Sequence, residues 1–129
     1  MKFSTKAEYG LKAMVNLAKD EVKTKNIKLI AKEESISIKY LERILNVLRK
    51  HGLVESFKGI NGGYALKKPG NKISVADIVI ALEGPIAPMK CVGKVCHMEN
   101  QCSSKIVWEI LGTQIEKTLR HIKLSDLTK

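Results

Sequence analysis

Apolar and small residues recur at three-and-four spacing through the start of the chain, at Ala7, Leu11, Met14, Val15 and Ala18. This spacing predicts an amphipathic helix over roughly residues 5 to 19, with Ser4 or Thr5 as its N-cap. DEVKTKN interrupts the pattern and reads as a polar connection. Ile27 to Glu34 then reads as a short helix that exposes Lys28, Lys32 and Glu33 and stops near Ser35. Ser37 can cap a third helix whose core stripe is Leu41, Ile44, Leu45 and Leu48. Gly52, after His51, suits the left-handed position beyond its end.

LVESF and YALKK read as two short strands, and KGINGG between them carries the glycines that a hairpin tip needs. Beyond Pro69 and Gly70, ISVADIVIALEG predicts a fourth helix, with Ser74 and Asp77 as a capping pair and Val75, Ile78, Val79 and Leu82 as its apolar face. A final helix of about 18 residues falls in SSKIVWEILGTQIEKTLRHIKL. Its apolar set, Ile106, Val107, Ile110, Leu111, Ile115, Leu119 and Ile122, is too rich for so thin a neighbouring core. With Trp108 among them, these side chains would leave a large apolar patch on a single chain, and such patches mark interfaces. A homodimer is the expectation, against the plainer alternative of a C-terminal core helix.

Two helices about three residues apart, the second serine-capped and followed by a basic-tipped hairpin, match the winged helix-turn-helix plan. The expected fold is therefore mainly α with a small β-hairpin wing and a long C-terminal dimerisation helix. Residues 1–84 form the winged domain, 85–103 a cysteine-containing loop, and 104–129 the dimerisation helix and tail. In this plan the capped helix enters the major groove of DNA while the wing reaches along the backbone or into the minor groove. Subtracting the core stripe leaves Ser37, Lys39, Tyr40, Glu42, Arg43 and Asn46 facing more outward. Glu42 stands out on a surface meant for a polyanion. A carboxylate there accepts from cytosine N4 or excludes wrong sequences, or else is a surface charge paired with Lys39 or Asn46.

Charge points the same way. The 129 residues carry a formal net charge of +10. Residues 1 to 70 hold fifteen Lys and Arg against seven Asp and Glu, a balance of +8, whereas residues 71 to 129 hold eight against six, a balance of +2. A basic face attracts phosphates by releasing condensed counterions, although a lysine-rich solvated surface would give the same balance. No apolar stretch approaches the roughly 20 residues of a membrane span. No nucleophile–base set, phosphate loop or paired-carboxylate signature appears, so an enzyme is not expected.

Cys91, Cys96 and Cys102, the chain's three cysteines, lie together in the run CVGKVCHMENQC. Their odd number excludes a closed disulfide set, and the opening MKFSTKAEYG carries no apolar signal segment, so a reducing cytoplasm is the expected setting. Zinc favours four closed ligands and C-x2-C pairs. This C-x4-C-x5-C array, with His97 beside it, offers three thiolates and an open fourth position, which suits a cluster whose state reports on the cell.

MKFSTKAEYGLKAM, SIKYLERIL, GLVESFKGINGGYAL, EGPIAPMKC and IKLSDL together resemble the IscR/NsrR/CymR family of bacterial winged-helix regulators, the Rrf-two family, over nearly the whole chain. The resemblance implies a homodimeric transcription factor that binds palindromic double-stranded DNA. It also implies that the cysteine loop carries an iron-sulfur cluster, 2Fe-2S favoured over 4Fe-4S. Carried over by position, the DNA contacts fall on Ser37, Lys39, Tyr40 and Glu42 and, in the wing, on Lys58 and Gly59. Arg43 and Asn61 complete the candidate set. Well-studied members have arginine where this chain has Lys58, which keeps the charge and loses the bidentate fork.

The IscR-type pattern spaces its first two cysteines one residue further apart and takes a histidine as fourth ligand three residues after the last. That position is Lys105 here, a poor ligand at neutral pH. NsrR-like members instead take a carboxylate from the partner's first helix, and the matching position is Glu8. Glu8, His97 and a labile small-molecule or hydroxide ligand are the alternatives for the fourth position. Two functions fit: a regulator sensing cluster, redox or nitric oxide status, or a cluster-independent thiol- or metabolite-responsive repressor of cysteine and sulfur metabolism.

Overall fold

A computed structural model describes residues 2–20, 24–88 and 103–128. Helix α1 spans Thr5–Lys19, and the Ser4 hydroxyl accepts from the Ala7 amide at 3.3 Å. Helix α2, Ile27–Glu34, is capped by Asn26 and ends at Ser35, whose φ of +56° turns the chain toward α3. Helix α3, Ile38–Lys50, begins with the Ser37 hydroxyl accepting from the Tyr40 amide at 3.2 Å. Past its end Gly52 adopts a φ of +75°, a conformation glycine enters without the Cβ penalty.

Strands β1, Val54–Phe57, and β2, Gly63–Leu66, pair antiparallel, with Val54 opposite Leu66 and Phe57 opposite Gly63. The second strand thus starts one residue earlier than YALKK suggests and stops before Lys67 and Lys68. A 3-10 turn at Gly70–Lys72 leads to helix α4, Val75–Glu83. Its capping box is complete: the Asp77 amide donates to the Ser74 hydroxyl at 3.1 Å, and the Ser74 amide donates to the Asp77 carboxylate at 2.9 Å. Helix α5 covers Lys105–His121, and a 3-10 turn at Leu124–Thr128 follows.

One core unites α1 to α4 with β1 and the tail. Met14, Ile30, Leu41, Leu45, Leu48, Ile73, Ile78 and Leu124 are fully enclosed in it. The predicted stripe of α3, Leu41, Ile44, Leu45 and Leu48, is its centre. After α5 the chain returns to the body: the Leu124 amide donates to the Ile73 carbonyl at 2.8 Å, and the Val75 amide to the Ile122 carbonyl at 2.9 Å. Arg120 reaches Asp77 of the α4 cap at 3.4 Å. Burial pushes the Asp77 carboxyl up, but its hydrogen bonds with Ser74 and the Arg120 charge outweigh that and hold it below the usual carboxylate range.

The first half of α5 is different. Ile106, Val107, Ile110 and Leu111 are 63%, 53%, 64% and 41% exposed. One residue of the polar connection between α1 and α2 is not solvated. Lys25 within it is buried and pairs with Tyr64 as an antiparallel bridge on the free edge of β2. No helix among the described residues is long and apolar enough to cross a membrane.

Candidate nucleic-acid interface

Packing on one side of α3 fixes what the other side presents. With its four-residue apolar stripe sealed in the core, Ser37, Lys39, Glu42, Arg43 and Asn46 are left exposed. Lys39, Glu42, Arg43 and Asn46 line one wall of an open groove of about 360 Å³, and Tyr64, near the loop end of β2, lines it from the hairpin. Asn46 accepts a hydrogen bond from Arg49 at 2.9 Å. Glu42 has no ion-pair partner among the described residues, so neither Lys39 nor Arg43 neutralises it. Its carboxylate is a free acceptor on a basic face.

Tyr40 is turned otherwise. It is half-buried, and its ring meets Tyr9 of α1 edge-on, with centroids 5.7 Å apart and planes at 83°. Lys12 lies 5.4 Å from the centre of the Tyr9 ring, extending the stack to the surface. Ser37 has a structural task as the α3 cap while remaining exposed.

The hairpin projects beside α3. Its loop runs from Lys58 to Gly62, Gly59 has a φ of +102°, and the Gly62 amide donates to the Gly59 carbonyl at 3.0 Å. Lys58, Gly59, Ile60 and Asn61 are all exposed, Ile60 completely. Thr24 donates its hydroxyl hydrogen bond to the Asn61 carbonyl at 3.1 Å, which leaves the Asn61 side chain at the tip. A cationic tip on a narrow hairpin next to a polar helix face offers two separate contacts to a duplex, one for base edges and one for phosphates.

Sequence patterning does not single out two residues of this region. Tyr64 follows the glycine pair, and nothing local distinguishes it from a packing tyrosine. Lys25 lies in a polar stretch, and its burial depends on partners from α1 and α2.

The candidate metal ligands divide. Cys91, Cys96, Cys102 and His97 lie outside the described residues. Glu8, in the first turn of α1, is exposed and pairs with Lys12 at 3.6 Å. It edges an apolar groove of about 460 Å³ that includes Leu11, Val15 and Leu127. Lys105 is buried at the start of α5, 3.6 Å from Glu109. Among the described residues no group of three or more His, Cys, Asp or Glu could hold a metal ion.

A helix-turn-helix whose second helix shows a polar, partly cationic face beside a lysine-tipped hairpin defines a winged-helix DNA-binding regulator. Residues 3–129 match the Rrf2 family model, described as an iron-dependent transcriptional regulator, and the chain belongs to that family. The structure of CymR (YrzC), the global cysteine regulator of B. subtilis, shares 33% identity over 99% of this chain and 96% of its own, with a TM-score of 0.80. The T. potens IscR structure shares 38% over 98% of this chain and 85% of its own, with a TM-score of 0.79. The HTH-type transcriptional regulator IscR of Sodalis glossinidius is 31% identical over 98% of this chain and 78% of its length. The chain is a transcriptional regulator and not an enzyme.

Proposed function

We propose that this protein is a homodimeric, cytoplasmic bacterial regulator that reads a palindromic operator through α3 and the hairpin wing. In this reading Lys39, Arg43, Lys58 and the backbone at Gly59 engage phosphates. Glu42 accepts from, or excludes, particular base edges. Ser37, Tyr40 and Asn61 supply the remaining polar contacts. The observation that carries the reading is the groove between α3 and β2, in which an unpaired carboxylate stands among cations beside a cationic tip. Carboxylates weaken attraction to a polyanion, so one retained there serves discrimination.

Cys91, Cys96 and Cys102 hold an iron-sulfur cluster, 2Fe-2S favoured over 4Fe-4S, with Glu8 of the partner subunit as the fourth ligand. Residues 85–103 are the sensing loop, placed between the winged domain, 1–84, and the dimerisation segment, 104–129. The cluster supplies a redox- and nitric-oxide-sensitive group. In this reading the state of the cluster would be relayed to the two α3 helices and so to genes of cluster biogenesis or stress. The description of the matching family as iron-dependent supports this reading.

Anaerobic purification with a visible spectrum, iron and sulfide quantification and operator binding tests it. A coloured protein whose operator affinity changes on cluster removal is expected. Any one of Cys91→Ala, Cys96→Ala or Cys102→Ala should abolish the chromophore, and Glu8→Ala should shift or labilise it. A protein that stays colourless on reconstitution, with a triple cysteine variant of wild-type affinity, would leave the second reading: a thiol- or metabolite-responsive repressor of cysteine and sulfur metabolism. Similarity to a global cysteine regulator across almost the full length of both chains favours that alternative.

A further inference from the structure

We propose that Lys25 is a positioning residue for DNA binding: its buried ammonium anchors residues 24 and 25 in the body of the protein, and these two residues help to aim the wing. The proposal rests on the reading of the wing as a DNA contact.

The hairpin has little of its own to orient it. Along β1 only Val54 is buried, and every residue of β2 is half-exposed. An isolated two-stranded hairpin is marginal in water, so its direction has to come from what borders it. Besides the contacts of β1 with α3 and of β2 with α1, the free edge of β2 is bordered by residues 24 and 25. The Lys25 amide donates to the Tyr64 carbonyl and the Tyr64 amide to the Lys25 carbonyl, both at 2.8 Å, while Thr24 holds the Asn61 carbonyl. Gly63, with a φ of +153°, sits so close that a Cβ there would lie 2.2 Å from the Lys25 carbonyl oxygen. Glycine is required for this approach.

On its other side Lys25 reaches inward, its side chain only 6% exposed. Its Nζ donates to Asn16 Oδ1 at 2.6 Å, contacts Glu33 Oε1 at 2.5 Å and pairs with the Asp20 carboxylate. Asn16 in turn donates to Glu33 at 3.2 Å and to Glu34 at 2.7 Å. Three acceptors match the three N–H groups of an ammonium. Burial disfavours the charge, but hydrogen bonds to Asp20 and Glu33 and their negative charge outweigh it and hold Lys25 above the ordinary lysine value. The joint therefore fastens α1 and α2 to one residue whose backbone grips the wing. Tyr64, the gripped residue, faces Lys39, Glu42, Arg43 and Asn46 across the candidate groove, so the same joint sets the distance from wing to α3.

The test is a double-mutant cycle on the full-length dimer with one operator duplex at fixed salt. In the wild-type background Lys58→Ala should cost about fivefold in affinity per subunit, the size of one phosphate contact. In Lys25→Met that cost should fall to less than about twofold, because an unaimed wing no longer delivers Lys58, whereas the cost of Arg43→Ala stays as it was. Loss of overall stability would scale the affinity of every variant by the same factor and leave both costs unchanged. Exchange of the Tyr64 amide should accelerate in Lys25→Met while Leu45 in α3 stays protected. Should Lys25→Met not fold, the half-exposed pair Asp20→Asn with Glu33→Gln removes the counter-charges and should give the same pattern. Equal Lys58→Ala costs in both backgrounds would overturn the proposal, and so would a Tyr64 amide as protected as in the wild type. A Lys58→Ala variant with full affinity in the wild-type background would instead overturn the assignment of the wing to DNA, and the strut's role in operator binding with it.

Discussion

α3 and α5 are both amphipathic helices with one face turned outward, and the two outward faces have opposite chemistry. α3 seals Leu41, Ile44, Leu45 and Leu48 at 0–1% exposure and presents Lys39, Glu42, Arg43 and Asn46. α5 seals only Lys105 and Gly112 and presents Ile106, Val107, Ile110 and Leu111. A single chain completes the first helix and leaves the second unfinished. Polar side chains at a solvent face cost nothing until a ligand comes, whereas four large apolar side chains side by side cost free energy continuously. The contrast separates the surface proposed to take a polyanion from the surface proposed to take a second copy.

The strongest way to break the comparison is to charge the α5 face. Ile110→Glu should weaken self-association by about 3–5 kcal/mol, roughly a hundredfold or more, because a carboxylate would be buried without a partner. Sedimentation should show monomers with poor operator affinity and an unchanged helical spectrum. An intact Ile110→Glu dimer would remove the interface assignment. The same replacement logic applied inside α3 should act on folding instead. Leu45→Ala should cost about 2–5 kcal/mol in urea unfolding through lost burial and a cavity.

Smaller effects sharpen the polar side. Lys58→Ala should lower affinity for all duplexes by a similar factor and reduce the salt slope by about one per subunit. Glu42→Ala should leave total affinity nearly unchanged and narrow the gap between operator and random DNA. Identical behaviour of the two variants on both duplexes would contradict their separate roles.

The smallest effects concern the joint between α4 and the end of α5. Ser74→Ala should cost about 1 kcal/mol, the usual worth of a capping hydroxyl. Because Asp77 and Glu33 are held below their ordinary values, their contribution is fully present above the unfolded carboxylate range near pH 4. It is lost as the pH falls through the folded values. Stability should therefore decline on acidification below about pH 4, less so in Asp77→Asn. A decline of the same size in both would dissociate Asp77 from it.

Much of this arrangement is legible in the sequence because its determinants are local. Three-and-four apolar spacing marks α1, α3 and α4, and the hydroxyls of Ser4, Ser37 and Ser74 mark where each begins. The excess of apolar side chains in α5 is also visible. Which of them stay outside is not, because Ile115, Leu119 and Ile122 become half-buried only where α5 packs against α4. The start of β2 is displaced because Gly63 pairs with Phe57 across the hairpin, and the next residue, Tyr64, gains a second neighbour in Lys25, almost forty residues away. Tyr40 lies on the outward side of the capped helix by spacing, yet its ring is drawn to Tyr9 by a contact between helices. For the candidate DNA surface, spacing locates Lys39, Glu42 and Arg43. The groove's lining residue from the hairpin, Tyr64, and the strut behind it depend on contacts that no short window contains.

Sedimentation velocity of the wild-type protein with a fluorescent, dyad-symmetric operator duplex tests most directly whether the apolar face of α5 brings two α3 helices to one DNA. Two 14.4 kDa chains per duplex at saturation, reduced to one or none in Ile110→Glu, is the predicted result. One chain per duplex with full affinity, unaltered by Ile110→Glu, would contradict the account.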